Sequence, residues 1–324
     1  MISALLPPLP PPPLRIVFLG TPALAATVLG ALLDGPDPVV GVFARPDAAS
    51  GRGLKSSAPP VAELARSRSI EVHQPRSWKD GSATATLAAL APDLVVVAAY
   101  GRLLPQAALD CPRFGCINVH ASLLPRWRGA DPITRAILEG DAETGVTIMQ
   151  MVLEMDAGPM LHRRTLPIRD DDTGESLERR LAELGGEALT EALAMWRAGR
   201  LEAREQDLAE VTFAPPLVKE HGHVSWSDPA ARIERAVRGL QPWPGAVTER
   251  GGQALKLWSA ETLPASPESA AAGSVLAIDR EGPRIQTGDG TLRLLEVQAA
   301  GKKRMSAADW ARGARLQVGE RLGS

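Results

Sequence analysis

Two side chains that could stabilise negative charge and move a proton lie two residues apart near the middle of the chain. Asn118 and His120 belong to the run Cys-Ile-Asn-Val-His-Ala-Ser that begins at Cys116. On a strand, both side chains would leave the same face at its carboxyl end. An amide donor beside an imidazole suits oxyanion stabilisation and proton transfer. Spacing alone favours a simpler alternative, in which Asn118 caps a turn and His120 is a hydrogen-bonded core histidine.

A carboxylate that could assist them follows further along the chain. Asp156 interrupts the apolar run of residues 151–158 just before a turn. Taken by itself, it is typical of an Asx-turn. Beside His120, it could fix the imidazole or take a proton from an attacking amine. The sequence does not show whether the two residues meet, so both interpretations stay open.

The elements that must position these residues alternate between strands and helices. Thr21 and Pro22 predict the N-cap and first position of a helix after the first strand. Leucines at helical spacing from Leu177 onward predict one long closing helix. Alternation of this kind predicts an α/β fold with a doubly wound, mostly parallel, Rossmann-like sheet in a domain of residues 15–201. The predicted strands are residues 15–20, 39–43, 70–73, 94–99 and 117–120.

Length and composition limit the classes of protein to consider. The 324 residues suggest two domains, and 44% hydrophobic with 23% charged residues is ordinary for a soluble globular protein. The apolar stretch of residues 94–100 is too short to cross a bilayer. Two cysteines, Cys111 and Cys116, cannot build a disulfide framework or a four-thiolate metal site, which favours a reducing, cytoplasmic setting. Residues 1–14 contain six prolines and are expected to form a frayed extension.

A smaller second domain is expected after a polar linker at residues 202–218. Residues 219–324 hold short apolar runs between turn signals, which predict a small OB-like β-barrel. The whole chain has a net charge of −2, whereas residues 215–324 carry 15 Lys and Arg against 12 Asp and Glu. Any nucleic acid must therefore meet local basic patches rather than a broadly basic surface.

Several common cofactor signals are missing from the sequence. Gly20-Thr-Pro is not the glycine-rich turn that binds a dinucleotide, and no Gly-Lys-Ser/Thr phosphate loop is present. A nicotinamide, flavin or nucleotide phosphoryl-transfer enzyme is therefore disfavoured. His221 and His223 have no evident third metal ligand, so a solvated turn is expected there. The run of residues 170–172, three aspartates, is predicted to be solvated, and the two cysteines are predicted to fill the core.

Several ordered motifs make the chain resemble the folate-dependent formyltransferases. They are Phe43-Ala-Arg-Pro-Asp, Gly51-Arg-Gly, Ser122-Leu-Leu-Pro-Arg-Trp-Arg-Gly, Gln241-Pro-Trp-Pro and Gly301-Lys-Lys. Over nearly the whole chain, the resemblance is to the members that formylate methionine on initiator tRNA. It implies 10-formyltetrahydrofolate as formyl donor, methionyl-initiator tRNA as acceptor, direct attack through a tetrahedral intermediate, and no metal, membrane or protein partner.

The resemblance also assigns roles to residues of this chain. The family's catalytic Asn, His and Asp correspond to Asn118, His120 and Asp156. The folate-contacting segment corresponds to Ser122, Leu123, Leu124 and Pro125. The loop that recognises the tRNA acceptor end corresponds to residues 45–55, with Arg45, Arg52 and Lys55 as expected contacts. Lys302, Lys303 and Arg304 in the basic C-terminal part are further expected phosphate contacts.

Some positions depart from the family pattern, and rival functions remain. Ala121 and Asp131 stand where Gly and Ala are common, and Ser225 stands where the family usually has Asp. Asp131 therefore adds a charge beside the predicted site. A formyltransferase or hydrolase of the superfamily acting on glycinamide ribonucleotide, an amino sugar or water shares the core motif, although it needs no basic loop. A nucleic-acid-binding protein with a degenerate enzyme domain is a third alternative, disfavoured by the complete catalytic set.

Overall fold

The computed structural model describes residues 3–11, 13–50, 55–265 and 270–323, so Arg52 lies outside the described residues. The chain divides into two compact units. The first comprises Met1–Pro132, Glu143–Pro167 and Glu178–Pro215, and the second comprises Ile133–Ala142, Ile168–Leu177 and Pro216–Ser324. The predicted combination of an α/β sheet domain and a smaller β-rich domain is confirmed.

A nine-stranded sheet forms the centre of the first unit. Its parallel part contains the strands Cys116–His120, Leu94–Ala98, Ile16–Gly20, Val39–Phe43 and Val72–His73, in that spatial order. Both Ile16–Gly20 and Leu94–Ala98 are buried at every position, which is why they read as continuous apolar runs. Burying one such aliphatic side chain contributes about 1.5–3 kcal/mol, so these strands fix the sheet that carries the site.

Four antiparallel strands extend this sheet beyond Cys116–His120. They are Glu143–Gln150, Met160–Pro167, Glu202–Arg204 and Ser3–Leu5, in that order. The expectation of a frayed extension at residues 1–14 is wrong, because Ser3–Leu5 pairs with Glu202–Arg204 and the Trp196 indole donates to the Pro7 carbonyl at 2.9 Å. Residues 202–215, predicted as linker, belong to the first unit.

The helices follow the sequence pattern closely, with one difference at the first cap. Thr21 does not cap the first helix; its hydroxyl donates to the Tyr100 carbonyl at 3.1 Å, and Pro22 occupies the N-cap position. No helix in the described ranges is both long and apolar enough to cross a membrane. The helices are Ala23–Leu33, Pro60–Ser67, Ser82–Ala89, Gln106–Leu109, Pro132–Glu139 and Gly174–Arg197, with a 3-10 turn at Leu208–Glu210.

The second unit is built around a six-stranded antiparallel sheet. Its core includes Trp226, Ile233, Leu257, Val297 and Trp310. Closure of this sheet into a barrel stays a prediction. The strands are Ala246–Arg250, Gln253–Leu263, Val275–Ile278, Pro283–Gln286, Thr291–Ala299 and Met305–Ser306; the helices are Ala230–Gly239 and Ala307–Gly313, after a 3-10 turn at Lys219–Gly222.

Candidate active site

Asn118 and His120 lie at the carboxyl end of Cys116–His120, on an interior strand of the sheet. This strand pairs with Leu94–Ala98 on one side and with Glu143–Gln150 on the other. Asn118 is partly exposed and His120 is 6% exposed. Among the described residues, the Asn118 side chain has no hydrogen-bond partner, so its amide N–H groups are available to a ligand. The paired strands fix both backbones, which is how a short strand can hold two reactive side chains in place.

The two ring nitrogens of His120 have different partners. Nε2 lies 3.0 Å from the backbone oxygen of Trp127. Because a carbonyl can only accept, Nε2 carries a hydrogen, and in the neutral ring Nδ1 has the lone pair. Nδ1 lies 3.8 Å from Oδ2 of Asp156. The ring therefore presents its basic nitrogen toward the carboxylate side of the site.

Asp156 comes from the loop between Glu143–Gln150 and Met160–Pro167. Its backbone is in the left-handed region, with φ 53°, which an Asp tolerates better than most residues. Its Oδ2 accepts a hydrogen bond from the Gly129 N–H at 2.9 Å. The structure thus brings Asn118, His120 and Asp156 to one edge of the sheet. The carboxylate is held by a backbone group of a different loop, so a local Asx-turn is not its main contact.

The residues predicted to contact folate form a tightly bonded loop. The Thr147 hydroxyl donates to the Ser122 carbonyl at 2.7 Å and accepts from the Leu124 N–H at 3.1 Å. The Ser122 hydroxyl donates to the Arg126 carbonyl at 2.6 Å. The side chains of Ser122 and Leu124 are fully buried, Leu124 against Met149 and Met160, whereas Leu123 is partly exposed. The contacts fix the loop backbone beside His120.

Two residues that the sequence did not single out, Gln206 and Thr212, support the loops of the site. Gln206, 7% exposed, joins the Asp156 loop to the buried Arg128. Thr212 accepts a hydrogen bond from the Trp127 N–H at 2.9 Å through its hydroxyl. Both lie in the predicted linker, where a polar sequence without hydrophobic periodicity gives no local signal of a structural role.

The predicted tRNA contacts within the described residues lie in two places. Arg45 is exposed at the end of Val39–Phe43, and its carbonyl accepts a hydrogen bond from Gln74 at 2.8 Å. Lys55 begins the short strand Lys55–Ser57, which pairs antiparallel with Ala48–Ser50. In the second unit, Lys302, Lys303 and Arg304 are exposed and line a cavity of about 520 Å³. Arg304 forms an ion pair with Glu296 and also lies 5.0 Å from the Trp258 ring centre.

The other candidate residues have structural surroundings. Asp172 is buried, and its carboxylate accepts from the Arg169 N–H and the Ser176 hydroxyl, both at 2.8 Å, so the expectation that residues 170–172 are all solvated is wrong. The Cys116 thiol is buried, and burial raises its pKa to about 12. Burial also raises the pKa of Tyr100, whose hydroxyl accepts from the Trp78 indole at 3.1 Å. His221 Nδ1 accepts from the Val218 N–H at 3.2 Å within a turn.

Comparisons with known proteins agree with this architecture. Two family profiles match, "Formyl transferase" over residues 14–193 and "Formyl transferase, C-terminal domain" over residues 216–315. The methionyl-tRNA formyltransferase of Acidithiobacillus ferrooxidans is 50% identical over 309 residues, which is 95% of this chain and 98% of that protein. That of Methylococcus capsulatus is 47% identical over 311 residues, covering 96% and 100% of the two chains.

A solved structure shares the fold at low sequence identity. The N-formyltransferase of Helicobacter canadensis, solved in complex with folinic acid and dTDP-3-aminofucose, has a TM-score of 0.66 at 15% identity, covering 88% of this chain and 99% of that one. The sheet domain, its polar edge and both profiles define a two-domain formyltransferase. Since relatives at about half identity span almost the full length, the chain belongs to the methionyl-tRNA formyltransferase family. The resemblance found in the sequence motifs is confirmed.

Proposed function

We propose that this chain transfers the formyl group of 10-formyltetrahydrofolate to the α-amino group of methionine on initiator tRNA, in the cytoplasm, as a step toward translation initiation. Family membership supports the reaction and its two substrates. One observation carries the proposal: an amide without a partner in the described part of the chain, an imidazole and a carboxylate converge at the carboxyl end of the sheet. Ligands of open α/β sheets bind at this edge.

Asn118 is proposed to stabilise the charge that develops on the formyl oxygen. As the acceptor nitrogen forms its bond to the formyl carbon, the carbonyl oxygen gains negative charge. An amide N–H aimed at that oxygen lowers the barrier, because it is already oriented by the strand. The α-amino group has a reference pKa of about 7.7–8.0 and is partly neutral near pH 7, so it can attack without prior covalent activation.

His120 and Asp156 are proposed to move the proton. The basic Nδ1 of His120 accepts the proton that the attacking amine loses, while Nε2 keeps its hydrogen bond to the Trp127 carbonyl. The resulting imidazolium lies 3.8 Å from the Asp156 carboxylate, which stabilises it, and adds positive charge beside the oxyanion. When the bond from the formyl carbon to the folate nitrogen breaks, Nδ1 returns the proton to that nitrogen. Neither step needs a metal or a covalent enzyme intermediate.

Residues 122–125 are proposed to contact the folate. Ser122 and Leu124 are 0% exposed, so they would shape the segment from within, and the partly exposed Leu123 would supply the side-chain contact. Hydrogen bonds from Thr147 hold this backbone in one conformation, which supports a preformed surface for the ligand.

The tRNA is proposed to meet basic residues of both units. Arg45, Arg52 and Lys55 would contact the acceptor end, and Lys302, Lys303 and Arg304 would contact backbone phosphates. The exposure of Arg45 and of the three C-terminal residues supports this assignment. Because Glu296 already partners Arg304, Lys302 and Lys303 should contribute more of the attraction to phosphate.

Formylation of defined acceptors by the purified protein tests the proposed function. With 10-formyltetrahydrofolate present, we expect formylmethionine on charged initiator tRNA and little product from uncharged tRNA, an amino sugar or glycinamide ribonucleotide. Faster transfer to a small amine, or release of formate as the main product, would assign one of the rival activities instead. A protein that binds tRNA without transferring formyl groups would support the degenerate-enzyme alternative.

A further inference from the structure

Residues of the predicted linker, 202–218, contact the loops of the proposed formyl-transfer site. Phe213–Ala214 pairs in parallel with Arg128–Gly129, immediately after the loop that carries Trp127. The Thr212 carbonyl accepts from the Arg128 N–H at 2.9 Å. Trp127, whose carbonyl orients His120, has a φ of 63° and therefore needs support from its surroundings.

Gln206 makes the most central contact of this segment. Its amide nitrogen donates to the carbonyls of Asp156 and Gly158, each at 2.8 Å. Its amide oxygen accepts from Nε of Arg128 at 2.9 Å, and Arg128 is 4% exposed. One buried side chain thus joins the two loops that supply the partners of His120.

The Asp156 loop needs such a support because its conformation is unfavourable by itself. A left-handed backbone at a residue other than glycine is strained and persists only where surrounding contacts fix it. The loop also packs tightly at its end, because a Cβ on Gly158 would lie 1.9 Å from the Gln150 carbonyl oxygen. Two hydrogen bonds from one amide group, on either side of residue 157, fix the loop across this turn.

We infer that Gln206 is a positioning residue for formyl transfer, holding the Asp156 carboxylate at its distance from His120. Gln206 acts through Asp156. The inference rests on the proposed function, because it assigns Gln206 a part in that reaction. A positioning role can be distinguished from a general structural role, because the effect of a Gln206 substitution on kcat should disappear when the Asp156 carboxylate is absent.

Two substitutions of similar size test the role. Gln206→Glu can still accept from Arg128 but places a carboxylate oxygen against two carbonyls, and Gln206→Met removes all three hydrogen bonds. A misplacement of about 1 Å in a catalytic group can cost ~10²-fold. We expect kcat to fall about 10- to 100-fold in both variants, with the KM for charged tRNA within about twofold of wild type. Glu205→Gln, an exposed neighbour, is the matched control and should keep wild-type kcat.

A double-mutant cycle separates positioning from general stability. In an Asp156→Ala background, Gln206→Met should lower kcat by no more than about twofold further, because residues acting through one another are not additive. A full additional loss in that background would overturn the inference, as would unchanged kcat in both single variants. Circular dichroism melts must show folded protein, and loss of folding in both variants would also overturn it. An inactive wild-type enzyme would instead contradict the proposed function.

Discussion

Removing the charge of Asp156 while keeping its shape gives a quantitative test of the site. Asp156→Asn retains an oxygen that can accept from the Gly129 N–H but cannot stabilise an imidazolium at His120 electrostatically. At the observed 3.8 Å, two unit charges interact by about 4 kcal/mol at an effective dielectric constant of 20 and about 1 kcal/mol in bulk water. The side chains are 7% and 13% exposed, which favours the larger figure.

The two figures predict different losses of turnover. At about 1.4 kcal/mol per tenfold change in rate, losing about 4 kcal/mol corresponds to a roughly 10³-fold loss of turnover, and losing about 1 kcal/mol corresponds to a roughly fivefold loss. We expect kcat for formylation of charged initiator tRNA to fall about 10²- to 10³-fold, with little change in folate KM. Glu205→Gln removes the charge of an exposed side chain next to Gln206, and it should change kcat less than about twofold. A loss below tenfold in Asp156→Asn would refute proton transfer assisted by this carboxylate.

Three further predictions concern other parts of the protein. Asn118→Ala should lower turnover about 10²-fold or more with folate affinity nearly unchanged, whereas near-normal turnover would eliminate its oxyanion role. Lys302→Ala and Lys303→Ala should each weaken tRNA binding and reduce the slope of log affinity against log salt by about 0.7–0.9, and an unchanged slope would exclude a phosphate contact. At pH 8, iodoacetamide should label the partly exposed Cys111 far faster than the buried Cys116, whose pKa is about 12, and equal labelling would contradict the burial.

The parallel part of the sheet could be predicted because its strands are encoded locally. Residues 16–20 and 94–98 are fully buried, so each gives a continuous apolar run that no neighbouring element needs to explain. The side chains of Asn118 and His120 could be placed on one face for a related local reason, because residues two apart on a strand point to the same side of the sheet. The N-cap expected at Thr21 was wrong because the helix begins at Ala23 with Pro22 at the N-cap; the Thr21 hydroxyl donates instead to the Tyr100 carbonyl, 79 residues away.

The antiparallel edge and the support of the site depend on long-range contacts instead. Met160–Pro167 alternates buried or half-buried positions with exposed ones and contains His and Arg, so its pattern is weak without its partner strand. Ser3–Leu5 and Glu202–Arg204 pair across almost 200 residues. Gln206 lies in a polar stretch, and only the approach of Arg128 and the Asp156 loop gives its amide a role. The family motifs therefore point to the proposed reactive groups but give no signal for Gln206.

A single-turnover experiment with a labelled formyl donor tests direct transfer most simply. Excess enzyme would be mixed with 10-formyltetrahydrofolate carrying an isotopic label in the formyl carbon and with charged initiator tRNA, and the reaction would be quenched at short times. We predict that label appears on methionine as fast as it leaves the folate, with none bound to protein. Label that first accumulates on the enzyme, or that ends in free formate, would contradict direct attack at the site formed by Asn118, His120 and Asp156.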